Sequence, residues 1–129
     1  MVTALIGKDQ YKTELITSAH YLIADEPAEK KGSNLGPDPL EFLLASLASC
    51  TAITLRMYAD RKKWPVDQIK VDVTSETIEE KTIFKREISF EGTLDESQRT
   101  RLLEIANSCP VHKILTNPIE INTNLLGAS

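Results

Sequence analysis

The 129-residue chain is poor in the residues that usually announce a specialised class. It holds only two cysteines, two histidines, five glycines and six prolines, and 5% of it is aromatic. Two cysteines are too few for the disulfide framework of a small secreted scaffold. So few glycines and prolines exclude collagen-like and low-complexity chains. Neither sign of charge dominates: 15 basic and 19 acidic residues are interspersed for a net charge of −4. No lysine or arginine block offers an electrostatic footprint for nucleic acid. The longest apolar stretch, Phe42 to Leu55, is broken by Ser46, Ser49, Thr51 and Thr54. It falls short of the roughly 20 residues that cross a bilayer. The N-terminal apolar stretch is short and no basic region precedes it, unlike a signal peptide. The expectation is a cytoplasmic protein that binds neither nucleic acid nor membrane.

What remains is an ordinary globular composition, 41% hydrophobic and 26% charged, suited to one domain over residues 1–129. Thr3–Ile6, Tyr11–Ile16 and Ala19–Ala24 have the composition of strands in a meander. The polar stretch Asp25–Asn34 reads as a loop. Asp38-Pro39 is a helix start, because Asp38 can accept the first free N–H groups and Pro39 has none to leave unpaired. That helix is expected to run to about Lys62. Its first two-thirds are apolar nearly all round, so other elements should enclose it. Ile69–Ile78 alternates apolar and polar residues, Glu79-Glu80-Lys81 turns, and Ile83–Gly92 returns as the antiparallel partner. Asp95 caps a helix from Glu96 to about Ser108, a short helical turn spans Val111–Leu115, and Pro118–Leu125 reads as a last strand. This order predicts an α+β fold, antiparallel sheet around one long buried helix.

The chemistry must come from Cys50 and Cys109. On helical spacing Cys50 shares its face with Ser46, Leu47, Ile53, Thr54 and Met57, none of them charged. By itself it reads as an unreactive core thiol. Cys109 precedes Pro110, which biases it away from helical geometry and toward the start of the following turn. Two readings are open there. In one, the turn's N-terminus and His112 favour a thiolate; in the other, Cys109 is a hydrophobic plug and His112 lies on the surface. A third arrangement, zinc held by Cys50, Cys109, His112 and His20, uses the same residues, but only Cys109 and His112 are close in sequence.

The run Gly36-Pro37-Asp38-Pro39-Leu40-Glu41-Phe42-Leu43-Leu44-Ala45-Ser46-Leu47-Ala48-Ser49-Cys50 resembles the central helix of the OsmC and organic-hydroperoxide-resistance superfamily. Ser108-Cys109-Pro110-Val111-His112 is similar to its second Cys-Pro motif, and Leu22–Pro27 and Phe90–Leu94 also fall where the family has similar segments. The resemblance implies an intertwined homodimer with the long helices between two sheets and two sites at the interface. It implies a peroxidase in which Cys50 attacks an organic hydroperoxide and becomes a sulfenic acid. Cys109 then condenses with it to a disulfide, and a dithiol reductant resets the pair, with no cofactor. The family also uses an N-terminal arginine, held by a glutamate near the start of the helix, to stabilise the thiolate.

Here no arginine precedes Arg56, Leu40 stands where that glutamate is expected, and Glu41 follows it. Glu41 lies about 13 Å along an ideal helix from Cys50 and either serves a site or is a first-turn acid favoured by the helix dipole. The substitute cation is one of Lys8, Lys12, Arg56, Arg86 and His112. The pattern resembles the less-characterised OsmC-like branch. A non-catalytic module binding a small apolar or acyl ligand at the dimer interface is the alternative that these departures keep open.

Overall fold

A computed structural model describes residues 1–127. They form two compact units, residues 1–46 and the remainder from Leu47, with one helix running through the boundary. In the first unit β1 (Thr3–Ile6), β2 (Thr13–Ile16) and β3 (Tyr21–Ala24) make an antiparallel meander in the order β1-β2-β3. The loop after β3 is tied down by Asp25, which is only 2% exposed. Its carboxylate accepts the backbone N–H of Glu26 at 2.7 Å and of Leu35 at 3.1 Å. Burial alone would raise the Asp25 pKa, but these N–H donors outweigh it and the pKa is lowered. Gly36 follows because any Cβ there would collide with the Ile23 carbonyl oxygen.

Helix α1 spans Pro39–Lys62. It opens on a reciprocal cap: Glu41 N–H donates to the Asp38 carboxylate at 2.8 Å, and Asp38 N–H donates to the Glu41 carboxylate at 3.0 Å. Asp38 and Pro39 thus start the helix at the residue that their chemistry predicts.

The second unit holds the rest of α1, the long hairpin β4 (Val66–Ile78) and β5 (Lys81–Gly92), α2 (Glu96–Ala106) and α3 (Pro110–Leu115). Its core gathers Leu55, Tyr58 and Ala59 of α1, Val66, and Leu102 and Ala106 of α2, with Trp64, Ile69, Ile88 and Phe90 packed around them. Tyr58 meets Trp64 edge to face at 5.5 Å and accepts a hydrogen bond from Arg101 Nε at 3.1 Å. The α2 cap is the one foreseen: Asp95 takes the Gln98 N–H while the Gln98 side chain takes the Asp95 N–H.

Two features differ from expectation. One chain buries only a stripe of α1, namely Leu47, Thr51, Leu55, Tyr58 and Ala59. Ile53 and Met57, 55% and 67% exposed, are left in water, because the elements of a single chain reach one side of the helix. By length and composition α1 also passes as a membrane span, beyond what its interrupted apolar run suggested. The second difference is at the end: Pro118–Leu125 forms no strand, and Ile119, Ile121 and Leu125 are exposed. Alternation marks which residues would share a face, but a strand also needs a neighbouring ladder, and no described strand pairs with this segment.

The β4–β5 turn makes a direct prediction. Glu79 and Glu80 sit at φ 50° and 67°, the left-handed pair of a two-residue hairpin loop, where neither side chain is at ease. Replacing them by Asn-Gly is expected to relieve about 1 kcal/mol or more of backbone strain. Thermal unfolding followed by circular dichroism should register a higher Tm.

Candidate active site around Cys50 and Cys109

The site lies wholly within the second unit. α1 supplies Cys50, Thr51 and Thr54; β5 supplies Arg86; the end of α2 supplies Asn107; and α3 supplies Val111 and His112 behind Cys109. Pro110 opens α3, so Cys109 is its N-cap, extended at φ −58° and ψ 128°. That geometry turns the free backbone N–H groups of Val111 and His112 toward the sulfur. Cys109 has no exposed surface, Cys50 is half-buried, and both are free thiols.

The two sulfurs are hydrogen-bond partners, with Cys50 donating to Cys109. Burial pushes the Cys50 thiol up, and its donor role pushes it further, against smaller help from Val111 N–H and Thr54. At Cys109 burial acts upward too, but hydrogen bonds from Cys50, His112 N–H, Val111 N–H and Thr51 outweigh it and bring the thiol down. Within the pair the surroundings thus favour negative charge on Cys109 over Cys50. The charge-free helix face around Cys50 gave no hint of this, since Thr51 and the Val111 and His112 N–H groups lie outside that face.

Arg86 is the cation that reaches residues bonded to this pair. Its Nη1 donates to Thr51 Oγ1 at 3.1 Å and to the Ala106 carbonyl at 3.3 Å. Its Nη2 donates to Asn107 Oδ1 at 2.9 Å and faces His112 Nδ1 at 3.3 Å. Nδ1 is thus the acceptor nitrogen of a neutral ring. Burial, then the Arg86 charge, holds His112 below its ordinary pKa, so it is not the positive charge that the sequence offered beside Cys109. Of the other candidates, Arg56 is engaged elsewhere, with Asp60 at 3.4 Å and the Val66 carbonyl at 2.8 Å.

Sequence reasoning did not single out Thr51 or Asn107. Thr51 carried one available signal: a fully buried hydroxyl in an apolar stripe needs a partner. Glu41 is placed in the α1 cap, its carboxylate on the Asp38 N–H. Among the described residues no group of three or more His, Cys, Asp and Glu is arranged to hold a metal ion, which disfavours the zinc arrangement. Arg86 and His112 also line a cavity of about 390 Å³ that opens between Leu47, Phe84 and Leu115, with Thr116 completing its polar wall.

A cysteine pair on an α+β frame, one half-buried thiol on a long helix and one buried thiol in a Cys-Pro turn, defines a class of thiol protein. The family model described as OsmC-like protein matches residues 31–124, and the chain belongs to that family. An OsmC-like protein from Mycoplasma pneumoniae superposes with a TM-score of 0.76 at 19% identity, covering 89% of this chain and 85% of that one. The organic hydroperoxide resistance protein OhrB of Bacillus subtilis gives a TM-score of 0.64 at 20% identity, with 90% and 89% covered. An organic hydroperoxide resistance protein OsmC from Legionella pneumophila gives 0.60 at 20% identity, with 90% and 88% covered. At these identities the likeness is one of fold. A search of curated proteins finds no match.

Proposed function

We propose that this protein is a cytoplasmic, homodimeric thiol peroxidase that reduces organic hydroperoxides with Cys50 and Cys109. The observation that carries the reading is the meeting of the chain's two thiols as hydrogen-bond partners, far apart in sequence and outside any group of three or more metal-ligating side chains among the described residues. Solved structures of similar fold are named organic hydroperoxide resistance proteins, which supports the substrate class.

In the proposed cycle Cys50 passes its proton to the Cys109 thiolate, and its sulfur attacks the terminal peroxide oxygen. The O–O bond breaks, Cys50 becomes a sulfenic acid, and the departing alkoxide takes a proton to leave as an alcohol. Cys109 then attacks the sulfenic sulfur, forming the Cys50–Cys109 disulfide and releasing water. A dithiol reductant restores both thiols by exchange and leaves as its own disulfide. Cys50 is the sulfur a peroxide reaches, since Cys109 has no exposed surface. Glu41 contributes by fixing the start of the helix that carries Cys50. The exposed Ile53 and Met57 support a second copy on that side of α1.

One equivalent of cumene hydroperoxide, followed by intact and peptide mass spectrometry, tests the reading. The expected product is an intramolecular Cys50–Cys109 disulfide; two unmodified thiols would sink it. The apolar side of the cavity favours one second reading, a carrier for a small apolar or acyl ligand. A co-purified ligand retained by Cys50→Ser, with no disulfide formed, selects that reading instead.

A further inference from the structure

Arg86 poses a problem of charge. It is half-buried, yet its four hydrogen-bond partners are Thr51, the Ala106 carbonyl, Asn107 and a neutral His112. Among the described residues no carboxylate forms an ion pair with it, although the chain carries 19 acidic residues. A guanidinium partly withdrawn from water without an anion is unfavourable, and removing neighbouring carboxylates makes sense only where another negative charge is to be held. The one anion that the site can generate is a cysteine thiolate.

The route to sulfur runs through Thr51. This hydroxyl has a single proton and two acceptors within reach: the Leu47 carbonyl at 2.7 Å and the sulfur of Cys109. Arg86 occupies its lone-pair side as a donor, so Thr51 must itself donate. An oxygen that accepts from a guanidinium is a stronger donor onward. When Cys109 is a neutral thiol the proton can rest on the Leu47 carbonyl; when it is a thiolate the proton can swing to sulfur.

We propose that Arg86 is the positioning residue of the cysteine pair, a cation that stabilises the Cys109 thiolate through the Thr51 hydroxyl without touching sulfur. The inference rests on Cys50 and Cys109 being the working pair, but it concerns their ionisation and not their oxidation. The charged or titratable groups that reach Cys109 or its hydrogen-bond partners are Cys50 from α1, Arg86 from β5 and His112 from α3; Thr51, Thr54 and Asn107 are neutral. Burial, and after it the Arg86 charge, keeps His112 from adding a second positive charge here.

The test is a pH titration of thiolate ultraviolet absorbance, with Cys50→Ser as background so that Cys109 alone reports. It needs no peroxide, so its outcome is separate from that of the peroxidase assay. Adding Arg86→Met is expected to move the midpoint upward by about one pH unit, a tenfold loss of thiolate at a fixed pH below it. Arg86→Lys should restore part of the shift, since it returns the charge without the two-nitrogen fork. Thr51→Val should shift the midpoint in the same direction with Arg86 present, and Thr51→Ser should not. If Arg86→Met does not fold, the Val and Ser variants at position 51 decide alone. Equal midpoints for those two, or an unshifted midpoint in folded Arg86→Met, would overturn the proposal.

Discussion

Serine in place of Cys50 is expected to remove all protein-dependent turnover of an organic hydroperoxide, whereas serine in place of Cys109 should leave one oxidation per chain. The asymmetry follows from access: Cys50 is half-buried and Cys109 has no exposed surface. It also follows from the order of steps, because a sulfenic acid that meets no second thiol persists until a reagent traps it. Cys109→Ser treated with one equivalent of hydroperoxide and then dimedone should carry a single adduct on Cys50. Burial first, and donation to Cys109 second, raise the Cys50 thiol in the intact pair. Losing that anionic acceptor removes the second of these contributions, so the pH at which Cys50 begins to react should fall in Cys109→Ser. A thiolate on Cys109 favours the protonated form of Cys50, and deleting it releases that proton at lower pH. An adduct on Cys109 in a turning-over Cys50→Ser protein would reverse the two roles.

Much of the frame was legible because its signals are local. Asp38-Pro39 and Asp95 start helices through bonds made within three residues, and alternation along Ile69–Ile78 sets which face of β4 packs inward. The Cys-Pro step likewise sets up Cys109 as the N-cap of α3. The cation of the site was not legible. On β5 Arg86 is one more polar residue in an alternating strand, and its four partners come from α1, the end of α2, the residue that follows it, and α3. No spacing rule along one element can bring those together. Pro118–Leu125 failed for a related reason: its alternation is real, but strand pairing is a property of two segments.

Two substitutions two residues apart on α1 should behave oppositely, and the contrast reports on assembly. Leu55 is fully buried among Tyr58, Ala59, Val66, Leu102 and Ala106, so Leu55→Ala removes packed methyl groups and leaves a cavity. The expected loss is about 2–5 kcal/mol, measured as a lower denaturant midpoint. Met57 is 67% exposed in one chain, and in a monomer Met57→Ala would cost no more than about 0.5 kcal/mol. In the proposed homodimer its side chain is withdrawn from water by the partner, and the same truncation acts on association. The Met57→Ala chain should then unfold at lower temperature, with a loss that grows on dilution, since only the dimer is weakened. Met57→Glu should sediment as a monomer, a charge on that face being incompatible with an apolar partner surface. A Met57→Ala chain indistinguishable from the parent at every concentration would remove this face from the interface. Leu55→Ala would still be destabilised, because its contacts are made within a single chain.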